Sequence, residues 1–256
     1  MREKLGKILG TLLFVVLISC LIYLSFLGKE KTNKGEIRMI EVKGNNLLSE
    51  IDYLSFTKLN DISQYRSLTL PVIKDRFESH PYVERADVEY AGNNTVKIIL
   101  HEKKIKAVLL YNGEPYFITE SFELLPVLQN SKFTDLPVIS NALIEGKVIP
   151  LSTLRSEGIT EAFEIIDAAK LTNTEILNRL SEINLRSGGD IILTFSGLKP
   201  PVIYGRGHAA KKMVYLDIMW QGIAEGENLI DNSEYIDLRF ANEIFVGTTE
   251  KTGLSE

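Results

Sequence analysis

Gly205-Arg206-Gly207-His208 stands just before a helical pattern, where glycine-rich backbone at a helix N-terminus can cradle a phosphate. The run lacks the third glycine and the following acidic residue of a dinucleotide site, so it reads better as a turn. His80, His101 and His208 could ligate a metal, but they form no H-x-x-x-H pair, and the lone Cys20 has no second thiol to join it. No G-x-S-x-G elbow or S-x-x-K motif is present, while a triad assembled from distant Ser, His and Asp residues stays open on sequence grounds. The chain is therefore expected to be no enzyme, with no catalytic residue, no metal and no cofactor. Asn93-Asn94-Thr95 fits a glycosylation sequon, yet it falls where a hairpin turn needs asparagine. Asp237 and Arg239 have more to offer. Two apart in an expected strand, they share a face and form either an ion pair or a contact for a partner. An exposed pair contributes typically under ~1 kcal/mol to stability, which makes the second use worth weighing.

Such residues need a scaffold, and 256 residues suffice for an anchor plus two units with their own cores. Hydrophobic content of 45% and charged content of 25% are those of ordinary globular protein and speak against disorder or a polytopic membrane protein. Arg2, Lys4 and Lys7 against Glu3 leave the first seven residues at +2, so the remainder carries −7 of the net −5. That balance is a poor match to nucleic acid, whose binders present a basic patch.

Ile8 to Leu27 holds no charged residue, and twenty helical residues reach across the roughly 30 Å hydrocarbon core. It reads as one retained transmembrane helix (8–27) after a short tail (1–7). A lipobox-like Leu17-Ile18-Ser19-Cys20 is its rival, with Cys20 as a lipidated N-terminus, but apolar residues continue past the cysteine. Lys29, Lys31, Lys34 and Arg38 follow the span almost as densely as basic residues precede it, so charge alone leaves orientation undecided. The seven-residue tail holds no domain, which places the functional mass after the span.

Beyond a polar linker (28–35), the pattern over 36–104 is strand, helix, helix, strand, strand. Ile37 and Met39 alternate with Ile40 and Val42 in a strand ending at Gly44-Asn45-Asn46, and LLSEIDYLSF follows as a helix. Thr69 is a plausible N-cap for a second helix with Pro71 in its first turn and Ile73 and Phe77 on one face, closed by His80-Pro81. Ala86, Val88 and Tyr90, then Val96, Ile98 and Leu100, alternate on either side of Ala91-Gly92-Asn93-Asn94, which predicts an antiparallel hairpin.

From 105 to 247 the pattern is a mixed sheet with packed helices, ahead of a closing tail, 248–256, expected to be flexible. Asn112-Gly113 and Gly188-Gly189 mark hairpins; Ile159, Phe163, Ile166 and Ala169 give one helix an apolar face, and Met213, Leu216 and Trp220 another. YIDLRF and NEIFV are the last strands. In the second, Ile244 and Val246 alternate with Glu243 and Phe245.

Several runs carry a family resemblance. I-x-x-I-E-V-K-G-N (Ile37 to Asn45), H-P-Y-V-E-R-A-D-V (His80 to Val88) and N-T-V-K-I-I-L-H-E-K (Asn94 to Lys103) resemble a POTRA domain of the FtsQ/DivIB type, with Ile105 where relatives often carry proline. L-L-P-V-L (Leu124 to Leu128), L-P-V-I (Leu136 to Ile139), V-I-Y-G (Val202 to Gly205) and Y-I-D-L-R-F (Tyr235 to Phe240) resemble the β-domain of the same family. The resemblance implies an α+β fold of anchor, POTRA domain and β-domain. It also implies a non-enzymatic cell-division scaffold in the cytoplasmic membrane at the septum, N-terminus cytoplasmic and both domains extracytoplasmic. Its partners would be small bitopic coiled-coil proteins of FtsB and FtsL type, with other division proteins meeting the POTRA domain. By position, partner binding falls on Arg239, Phe240, Asn242, Glu243, Ile244, Phe245 and Val246. A POTRA-bearing secretion or outer-membrane assembly factor and a lipoprotein adaptor are the alternatives, the first weakened because no long series of amphipathic strands follows.

Overall fold

A computed structural model describes residues 12–21, 23, 37–132, 135–224, 233–240 and 243–248. The expected tail 1–7, the linker 28–35, Asn242 and all but the first residue of the tail 248–256 lie outside these. Of the apolar run, residues 12–21 and 23 are described, helical, with exposed side chains. Among the described residues no helix is long and apolar enough to cross a membrane.

The first lobe is a three-stranded sheet of β1 (Met39–Lys43), β2 (Val83–Gly92) and β3 (Thr95–Glu102), in the order β1-β3-β2 with β1 parallel to β3. A parallel neighbour needs a crossover. It is supplied by α1 (Glu50–Phe56), a 3-10 helix (Ile62–Ser67) and α2 (Leu70–Glu78). Strand alternation turns Ile40, Val42, Ala86, Val96, Ile98 and Leu100 into one core, where Tyr53, Ile73 and Phe77 of the helices meet them. Ile37 and Met39 do not share a face as alternation predicts. The strand begins only at Met39, which is exposed, while Ile37 is buried ahead of it.

Local chemistry explains the boundaries. Ser49 caps α1 reciprocally, its hydroxyl accepting from the Asp52 amide while the Asp52 carboxylate accepts from the Ser49 amide. Thr69 does precede α2, but its side chain makes no capping hydrogen bond; Pro71 sits in the first turn. The unexpected 3-10 helix starts where Asp61 accepts from the Ser63 amide. At Gly44 the backbone is left-handed (φ +80), and a Cβ would collide with the Leu100 carbonyl, so only glycine fits this step between β1 and α1.

Among the described residues the second lobe is a nine-stranded mixed sheet. Its strands are β4 (Ile105–Tyr111), β5 (Glu114–Thr119), β6 (Leu124–Pro126), β7 (Val138–Ser140), β8 (Leu180–Asn184), β9 (Ile192–Phe195), β10 (Val202–Ile203), β11 (Ser233–Asp237) and β12 (Phe245–Thr248). Their order is β12-β11-β10-β9-β8-β7-β4-β5-β6. The β7/β8 and β10/β11 pairs are parallel. Their crossovers are helical: α3 (Glu157–Thr172) with α4 (Thr174–Arg179), and α5 (Ala209–Ala224). The predicted faces are the ones buried, Ile159, Phe163, Ile166 and Ala169 on α3 and Met213 and Leu216 on α5, with Trp220 partly buried.

The lobes share apolar contact, since Phe117 of β5 and Leu125 of β6 complete the core of the first lobe. Tyr82 is the hub of this junction. Its hydroxyl donates to the Pro126 carbonyl (2.8 Å), accepts from the Leu128 amide (2.8 Å) and lies 2.7 Å from Ser131 Oγ. Around it, the Lys132 amide donates to the Leu47 carbonyl, and Lys103 pairs with Glu123 at 2.7 Å.

Candidate functional site

β11 and β12 form the last hairpin of the described residues, pairing Ile236 with Val246 and Asp237 with Phe245, and among the described residues β12 closes the order of the nine strands with no neighbour on its far side. The final strand differs from expectation by two residues. It runs Phe245–Thr248, so Glu243 and Ile244 precede it. Glu243 is exposed, and Ile244 packs against the core of the second lobe. Gly247 takes the ring of Tyr235 directly on its backbone, where a Cβ would collide, and this seats the hairpin.

Phe240 and Phe245 stack edge to face with centroids 4.9 Å apart, and each stays about half exposed, 52% and 47%. Val246 is 39% exposed. The alternation that was to bury Val246 with Ile244 holds only for Ile244, because the chain enters the strand after that residue. Phe240 and Phe245 thus form an apolar patch beside the last strand of the described sheet, while Val246, next along the strand, is turned to the opposite face.

Arg239 is not in a strand with Asp237, since β11 ends at Asp237. Their pairing is local instead of cross-strand. Arg239 Nε and Nη2 donate to Asp237 at 3.0 and 2.6 Å, Nη1 reaches Asp190 at 2.9 Å, and the Arg239 amide donates to Asp237 Oδ1 at 3.0 Å. The guanidinium hydrogen bonds hold the Asp237 carboxyl below its usual range, although burial of the carboxyl works against this. Reciprocally, bonding to Asp237 raises the pKa of Arg239.

The run Gly205-Arg206-Gly207-His208 is a turn into α5, with positive φ at Gly205, Gly207 and His208. Gly205 is needed because a Cβ there would lie 2.8 Å from Arg239 Cγ. Arg206 pairs with Glu161 and donates to the Gly189 carbonyl at 3.0 Å. The buried Lys212 donates to the carbonyls of Tyr204 (2.7 Å) and Arg206 (3.0 Å), and burial lowers its pKa. Arg206, Lys211, Lys212 and Arg239 thus surround a recess of about 240 Å³ closed by Phe240, four cations against the carboxylates Glu161, Asp190 and Asp237.

Sequence reasoning missed Asp190 and Lys212. Asp190 follows the Gly188-Gly189 turn, 49 residues from Arg239, and nothing local in the sequence links the two. The histidines separate. His80 is buried, His101 bonds to Asp87 at 2.9 Å, and His208 is exposed. Among the described residues no cluster of three or more His, Cys, Asp or Glu is arranged to hold a metal.

Fold and edge define a two-lobed α+β protein whose larger sheet, among the described residues, ends on a strand flanked by aromatic and cationic side chains. Residues 36–103 match the family model described as POTRA domain, FtsQ-type, and residues 107–239 match that described as Cell division protein FtsQ/DivIB, C-terminal. The chain belongs to the FtsQ/DivIB family of cell division proteins. It is similar to the cell division protein DivIB of Clostridium acetobutylicum, 25% identical over 214 residues that cover 80% of this chain and 79% of that protein.

Proposed function

We propose that this protein is a non-enzymatic, single-pass scaffold of the division machinery, held at the septal membrane by Ile8–Leu27 with both lobes outside the cytoplasm. Exposed apolar side chains on helical residues 12–21 support the anchor. On this reading a small bitopic coiled-coil protein of FtsB type, itself paired with an FtsL type, adds a strand to β12, with Phe240, Phe245 and Val246 as apolar anchors. Arg239, held between Asp237 and Asp190, presents its cation to an acidic side chain of the partner. Glu243 and the partly buried Ile244 extend this surface, and Asn242, the remaining expected contact, lies outside the described residues. The first lobe receives other division proteins.

The observation that carries this reading is the position of β12 at the edge of the sheet among the described residues, with an aromatic pair half exposed beside it. An uncovered edge is an aggregation hazard unless protected or used. Neighbouring residues in a strand direct their N–H groups to opposite sides, so of Phe245 and Val246 one faces β11 and the other faces outward. Proline is tolerated only where the N–H is not needed by the sheet. One of Phe245→Pro and Val246→Pro is therefore expected to fold normally and lose binding of the FtsB-type partner in pull-down from detergent, while the other loosens the hairpin. Should every variant that folds bind normally, with Arg239→Ala plus Phe240→Ala also binding, the partner sits elsewhere.

A further inference from the structure

The first lobe carries a second exposed apolar surface. Met39 at the start of β1, Ile51 on α1 and Ile62 on the 3-10 helix are 60%, 72% and 65% exposed, and all three line one open groove of about 380 Å³. Leu54, Leu59 and Tyr65 form its floor and Arg38 its rim. Three large apolar side chains exposed together on so small a lobe mark an interaction site.

Two features narrow the occupant. The groove borders the edge strand β1, but its capacity to accept another strand is reduced: the Val42 amide, which does not bond to β3, donates to Glu50 Oε1 at 3.1 Å. A partner that needs backbone hydrogen bonds is disfavoured here, whereas one that needs only apolar contact is not. The carboxylates beside the groove are engaged by backbone, Glu50 by Val42 and Asp61 by the Ser63 amide, which softens their repulsion of an anionic surface. The second feature is chain order. Only nine residues separate Leu27 from Ile37, and a chain of that length spans at most roughly 35 Å.

We propose that this groove docks on the phospholipid bilayer, with Met39, Ile51 and Ile62 entering the headgroup boundary and Arg38 at headgroup depth. The proposal rests on the anchor reading above. A short tether gives a local concentration in the mM range, and three partly inserted side chains give an affinity of about 0.1 mM, so about nine-tenths of molecules are docked.

The test uses the full chain with Cys20→Ser, reconstituted in vesicles of phosphatidylethanolamine and phosphatidylglycerol. An environment-sensitive fluorophore is placed at Ile62→Cys, or as a control at Glu89→Cys on β2, the opposite edge of the same sheet. Docking predicts quenching by aqueous iodide about tenfold weaker at position 62 than at position 89, and quenching of position 62 by spin-labelled lipid. Adding Met39→Glu and Ile51→Glu should bring position 62 to the control value. Iodide access at position 62 equal to the control, in a chain that resists alkaline extraction, overturns the groove proposal alone. Protection that arises only when other division proteins are added also overturns it, since a protein then covers the groove. A chain released by alkali refutes the anchor reading and this proposal with it.

Discussion

His80 should make this protein acid-sensitive over a window set by its surroundings. The ring is 2% exposed and lies against Tyr53, Phe56 and Tyr82, with centroid distances of 4.7, 4.4 and 5.3 Å. Its Nδ1 accepts from the Tyr82 amide at 3.1 Å, a bond that protonation of that nitrogen would abolish. Burial first, then the nearby Lys103 cation, lower its pKa from 6.5 to about 4. The unfolded chain therefore takes up a proton as pH falls through 6.5, while the folded chain resists until about pH 4. The neutral ring's contribution is complete above pH 6.5 and is lost progressively between there and pH 4. The whole gap corresponds to about 3 kcal/mol; between pH 7.5 and pH 5 about 2 kcal/mol is lost, and about 1 kcal/mol if water reaches the ring. A neighbouring ring that turns its face to the imidazole attracts a cation and opposes this trend, so the sign of the effect decides whether desolvation or the rings dominate. The assay is urea unfolding of the full chain in detergent, followed by far-ultraviolet circular dichroism at each pH, with His80→Leu as reference. Loss of the Tyr82 amide's acceptor lowers the variant by a constant, and groups titrating elsewhere cancel in the comparison. The native chain is expected to lose more stability in acid than His80→Leu by the amount above. Parallel profiles, or a native chain that gains on the variant in acid, would refute the desolvation argument.

Tyr82→Phe should cost about 1–3 kcal/mol by leaving the Leu128 amide without its acceptor at the junction of the lobes, with faster hydrogen exchange at Leu128 as the local readout. Gly44→Ala should lower thermal stability by about 1–3 kcal/mol or prevent folding, because an L residue is strained at φ +80 and its Cβ meets the Leu100 carbonyl; a melting point within two degrees of the native chain's would sink this (about 0.5 kcal/mol at this size).

Much of this architecture is local and so was legible in the sequence. Alternation at Val96, Ile98 and Leu100 put three side chains on one face of β3, and helical spacing put Ile73 and Phe77, or Ile159 and Phe163, on one face of a helix, since each pattern follows from backbone geometry within a few residues. Asn112-Gly113 and Asn93-Asn94 adopt positive φ as hairpin turns require. The ends of the last hairpin were less legible. The run Glu243 to Val246 alternates, but the strand exists only where β11 offers a partner, from Phe245 onward.

What the sequence by itself determined is the kind of the longer periodic elements and the face they bury, together with the family, whose motifs coincide with turns and core positions. The tertiary structure decided which strands are neighbours, and with it the candidate site. Arg239 meets Asp190 because the β10/β11 pair sets Asp237 beside the loop that carries Asp190, a contact across 49 residues without a local signal. Tyr82 joins the lobes for the same reason, its hydroxyl meeting backbone groups of residues 126 and 128 that only the packing of two sheets brings near. β12 stands at an edge because the parallel crossover through α5 puts β11 outside β10 and the following hairpin adds one strand more. Periodicity records which side of an element faces a core. It does not record which element lies on that side, because hydrophobic burial is non-directional and the partner is chosen by chain connection and shape.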